Sequence, residues 1–81
     1  MGYIVKEEDS QAGEVTRRGP FVTEQEARLA LGNLVEQTYN FNPQLATANV
    51  RQEVEDAVRD GCKECYDAKG NLVCRYTVEQ E

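Results

Sequence analysis

The chain has 81 residues, with fifteen acidic against nine basic side chains, no histidine and a net charge of −6. That is the length of one domain with a thin core, since so short a chain buries only about 60% of the surface its unfolded form exposes. Without histidine it lacks the usual neutral-pH acid/base and the commonest metal ligand. With a single adjacent basic pair, Arg17-Arg18, it also lacks the clustered cations on which direct nucleic-acid binding draws.

Tyr3-Ile-Val-Lys-Glu is dense in β-branched and aromatic residues and predicts a strand over residues 2–8. Asp9 to Gly13 is turn chemistry, and Glu14 to Arg18 reads as a second, more polar strand, so the two form an N-terminal hairpin. Gly19-Pro20 is expected to end it, because proline cannot donate to a ladder. Apolar runs such as Leu29-Ala30-Leu31 are far too short to span a bilayer. Lys6 stands where a myristoylation signal needs Ser or Thr, and the N-terminal residues do not read as a signal peptide, so the expected location is cytoplasmic with no membrane partner.

Thr23 to Tyr39 is the segment where start signal, propensity and apolar spacing agree. Thr23 with Glu26 is a capping box, and Glu24 and Glu26 suit the positive end of the helix dipole. At 100° per residue Ala27, Ala30, Leu31, Leu34, Val35 and Thr38 share the side that faces the core, whereas Leu29 falls on the polar side among Gln25, Asn33 and Glu36. Leu29 is therefore a candidate contact. Gly19-Pro20-Phe21, followed by Glu26-Ala27 and Leu34, resembles the strand-to-helix passage of the sporulation-related peptidoglycan-binding repeat over about a fifth of the chain. That family returns to strand after this helix and works outside the cytoplasm. Here a second helical pattern follows, so no function is carried over.

Tyr39 to Pro43 breaks the first helix, with Phe41 expected to anchor the connection in the core. Val50, Val54, Ala57, Val58 and Gly61 share a face of a second helix that starts between Thr47 and Asn49, capped by Asn49 with Gln52 and closed at Asp60-Gly61. Asp67 to Asn71 fits a type I turn closed by Gly70, which pairs Asp67 with Asn71 and makes the C-terminal stretch a hairpin. That register puts Cys62, Glu64, Tyr66, Leu72, Cys74, Tyr76 and Val78 on the expected core face, with Lys63, Cys65, Val73, Arg75 and Thr77 opposite. The whole reads as a single small α+β domain over residues 1–81, in ββααββ order. Its antiparallel sheet is expected to carry both helices on one face, in two layers.

Two constellations bear on function. Cys62-Lys-Glu-Cys65 with Cys74 beyond it is a set of three thiols without a fourth zinc ligand, placed after a helix C-terminus whose partial charge opposes a reactive thiolate. The expectation is half-buried hydrophobes, with no metal and no cofactor; a metal-binding or redox protein using Cys62, Cys65 and Cys74 is the alternative. On the second helix Glu53, Asp56 and Asp60 lie within about 60° of one another with no cation between them, a local choice against stability of the type that marks contact surfaces. No nucleophile elbow, phosphate loop or carboxylate pocket is present, so catalysis is not expected. The leading expectation is a non-enzymatic module that binds a basic protein surface through Glu53, Asp56, Asp60 and Leu29. Its strongest form is an inhibitor that occupies a nucleic-acid-binding groove, as short acidic phage and mobile-element proteins directed against restriction or CRISPR machinery do. A homodimer through Leu29 or an unpaired sheet edge is a third reading.

Overall fold

In a computed structural model that describes residues 2–47 and 49–81, the elements run β1 (Tyr3–Asp9), β2 (Glu14–Phe21), α1 (Glu24–Phe41), α2 (Val50–Asp60), β3 (Cys62–Tyr66) and β4 (Leu72–Gln80). The four strands form one antiparallel sheet in the order β2-β1-β4-β3, so the two terminal hairpins meet through β1 and β4. Both helices lie over one face, and the molecule measures 39 × 27 × 17 Å, which is two layers thick.

Local signals place the helices. Thr23 Oγ1 accepts the Glu26 N–H at 3.1 Å, and Glu26 reaches back past the cap to accept the Val22 N–H at 3.3 Å. The first half of the capping box forms as expected, whereas Glu26 accepts from Val22, the residue before the cap, instead of from the Thr23 N–H. Ala27, Leu31 and Val35 are fully buried, Ala30 and Leu34 pack against them, and Gly32 and Tyr39 extend the inward face. At Gly32 a Cβ would stand 2.7 Å from Val58 Cγ2, so the missing side chain is what lets α2 approach α1 so closely. Asn49 caps α2 through the Gln52 N–H at 3.2 Å, and Gly61 ends it at φ 71°, donating to the Ala57 carbonyl. Ala48, inside the expected start window of α2, lies outside the described residues.

Three expectations are corrected. Phe41 does not anchor the connection: α1 continues through it and leaves it 79% exposed, while Leu45, bridged to Asp67, fills the core position instead. Gly19-Pro20 does not end β2, which passes through both residues with an irregularity in its pairing to β1 and stops at Phe21; on an edge strand the missing proline N–H costs no ladder bond. The third correction concerns β3. The Asp67 to Asn71 turn forms as expected, with Gly70 at φ 85° and the Asp67 N–H bonded to the Asn71 carbonyl at 3.0 Å. A register shift then falls between Cys65 and Tyr66, which pairs Cys65 with Cys74 and Lys63 with Tyr76. One extra residue turns the strand over: Cys65 and Lys63 face the helices with Cys74 and Tyr76, while Cys62 and Glu64 join Thr77 and Arg75 on the open face.

Candidate interaction surface

Glu53 does not stand on a free acidic edge. The turn of β3 brings Lys63 up under α2, where its ammonium pairs with Glu53; the two side chains are only 16% and 24% exposed. The same carboxylate accepts the Tyr39 hydroxyl at 3.2 Å and the Thr47 hydroxyl at 3.4 Å. Three donors on one half-buried carboxylate make Glu53 a tie between α1, α2 and β3 rather than a surface ligand. The polar run continues inward, because Tyr39 also meets the Cys65 thiol, and Cys65 meets Cys74. Burial pushes the Tyr39 and Tyr76 hydroxyls well above the usual tyrosine range. Thr38 gives its proton to the Leu34 carbonyl at 2.7 Å, so the Tyr76 hydroxyl donates to Thr38.

Asp56 and Asp60 do reach the surface, and Arg59 serves both. It lies 3.3 Å from Asp56 and 2.9 Å from Asp60, and this bond holds the Asp60 carboxyl below the ordinary carboxylate range. The expectation that no cation lies between these acids fails because Arg59 folds back along its own helix and Lys63 comes from a strand. What remains is an imbalance of the layer. The two helices carry seven carboxylates, Glu24, Glu26, Glu36, Glu53, Glu55, Asp56 and Asp60, against three arginines, Arg28, Arg51 and Arg59. Four of the six excess negative charges thus belong to the two helices, one of them met by Lys63 from β3. Leu29 points outward from this layer at 52% exposure, as expected, and Phe41 stands at the far end of α1. Arg28 is occupied elsewhere: it pairs with Glu24 at 2.8 Å and donates to the Val58 and Arg59 carbonyls, closing the C-terminus of α2.

The cysteines separate into one and two. Cys62 is exposed on the open face, Cys65 and Cys74 are buried opposite each other, and among the described residues no three His, Cys, Asp or Glu side chains gather as metal ligands. Cys62 and Cys65 point to opposite faces, as the alternation of a strand requires. The neighbouring Cys74 thiol, helped by Tyr39 and Lys63, holds Cys65 below the ordinary thiol range, while the Cys65 thiol and burial push Cys74 up. Elsewhere, Gly2, Pro20, Phe21, Val22 and Glu81 line an open depression of about 310 Å³ with no ionisable side chain but that of Glu81. Sequence reasoning missed Lys63, Tyr39, Arg28 and Gly32; the last carried a signal, since a glycine inside a helix costs about 1 kcal/mol and marks close packing. Among the described residues no helix is long and apolar enough to cross a membrane. No family model, no curated protein and no solved structure matches this chain.

Proposed function

We propose that this domain is a non-enzymatic protein-binding module of the cytoplasm whose helical layer docks on a basic partner surface. The observation that supports it is the excess of three negative charges on the two helices beyond the Glu53–Lys63 pair, beside the outward-facing Leu29. Asp60 is an exposed carboxylate of this surface, Asp56 a partly covered one beside it, and Leu29 its apolar contact. Glu53 contributes by fixing α2 on the sheet. Charge arranged this way steers encounter and selects cationic partners. In its strongest form the module competes with nucleic acid for a groove on its partner.

A pull-down from the native host tests this with three baits: wild type, Asp56→Asn with Asp60→Asn, and Leu29→Ala. The wild type should retain a protein that heparin or duplex DNA displaces, and the double variant should retain several-fold less of it. Equal retention by wild type and double variant would overturn the charge-based reading. A second reading, thiol redox chemistry, draws on the direct pairing of Cys65 with Cys74, since paired positions of adjacent antiparallel strands fall within disulfide reach. In that case glutathione disulfide would be reduced to two glutathiones as Cys65 and Cys74 lose two protons and two electrons to form a bond. Mass spectrometry showing only Cys62 modified would reject it.

A further inference from the structure

We infer that two copies of this chain pair through the free edge of β2, antiparallel and centred on Thr16, to form one continuous sheet. The two edges of the sheet are treated differently by the fold. At β3 the connection between the helices lies along the outer edge, where Ala46 donates to the Tyr66 carbonyl at 2.9 Å and Leu45 bridges to Asp67. At β2, among the described residues, nothing pairs with the outer edge, and every residue from Glu14 to Pro20 is exposed, on both faces. A bare edge of this length is a template for another strand.

The backbone shows which groups are on offer. Ser10 donates to the Val73 carbonyl of β4 at 3.0 Å and Glu81 to the Gly2 carbonyl at 2.9 Å, so even-numbered residues of β1 bond toward β4 and odd-numbered ones toward β2. The β2 partners of the odd positions are Glu14, Thr16 and Arg18, which spend their backbone groups on Asp9, Glu7 and Val5. Val15 and Arg17 are left with theirs directed outward.

A second copy fits this pattern in a particular register. With Thr16 on the two-fold axis, Val15 meets Arg17 of the second copy as a hydrogen-bonded pair, using the outward groups of both. Glu14 then meets Arg18 of the second copy in the closer, non-hydrogen-bonded position, and the axis repeats that ion pair. The side chains of Glu14 and Arg18 share the helix-facing side of the sheet, since their partners flank Glu7, opposite Tyr76. Arg18 is half-exposed and its bond to Glu7 is long, at 3.7 Å, so it is free to turn to a better acid. The charges that would repel a random strand from this edge are thus complementary to their own copy. Pro20, the residue that blunts an edge, lies outside the Glu14 to Arg18 window.

The test is sedimentation velocity on the full chain from about 10 μM to about 1 mM, with variants that read the register. The wild type should sediment at twice the chain's mass at the upper end. Glu14→Arg alone places like charges against Arg18 of the second copy, and Arg18→Glu alone does the same with negative charge, so each should weaken the dimer at least about tenfold. Mixed one to one, the two variants restore both ion pairs, and a heterodimer at least as tight as the wild type should form. Val15→Pro removes an outward N–H without touching the β1 ladder and should also weaken pairing; circular dichroism reports whether it folds, and the charge series decides if it does not. A wild type that stays monomeric throughout, or variants whose mixing restores nothing, would overturn the proposal.

Discussion

At single residues the fold depends on what Glu53 and Gly32 do. Replacing Glu53 with Ala leaves the Lys63 ammonium and the Tyr39 hydroxyl in a half-buried site with no carboxylate, at a cost of about 1–3 kcal/mol. A double variant, Glu53→Leu with Lys63→Met, leaves no stranded charge and should recover most of that loss, because an apolar pair of similar volume often matches a partly buried ion pair. Urea unfolding of the single and double variants checks this; a single variant as stable as the wild type would contradict the role given to Glu53. Gly32→Ala sets a gain in helix propensity against a clash with Val58, a β-branched side chain with little rotamer freedom. The clash should win by on the order of 1 kcal/mol, and a raised midpoint would show that α2 yields.

Among the elements, caps and turns are the most readable parts of this chain, and both give predictions. Thr23→Ala should cost about 1 kcal/mol and lower the melting temperature by about 4–8 °C in a domain of this size. The Asp67 carboxylate accepts the Asn71 and Lys69 N–H groups, which hold it below the ordinary range. A depressed carboxyl contributes stability that is complete above about pH 4 and is lost as pH falls through its folded value. Acid unfolding of Asp67→Ala should therefore be less steep below about pH 4 than that of the wild type, and superimposable curves would assign the acid limb to other carboxylates. These features could be read because each rests on residues three or four apart. The face of β3 could not, because one bulge beyond a correctly read turn inverts every side chain from Cys62 to Cys65. Phe41 failed for a related reason: its hydrophobicity says nothing about where α1 ends, and the helix carries it two residues past the expected break.

For the whole molecule, element order and layering followed from the periodicities, while the strand order and the candidate surface did not, since both depend on contacts distant in sequence. Lys63 reaches Glu53 across ten residues and a change of direction, and Arg28 reaches the end of α2 from the first turns of α1. With Glu53 withdrawn into that framework, the acidic character of the helical layer rests on carboxylates such as Asp56 and Asp60, whose exposed ion pairs contribute little to folding. Asp56→Asn with Asp60→Asn should therefore unfold within about 0.5 kcal/mol of the wild type while shedding two negative charges from one surface. The direct test is the association rate of the retained partner with wild-type domain as sodium chloride rises from about 20 mM to about 500 mM. A rate that falls steeply with salt, and a double variant that is slower at low salt but converges on the wild type at high salt, is the result expected of a charge-steered surface. A wild-type rate that is flat with salt and equal to that of the double variant would contradict it.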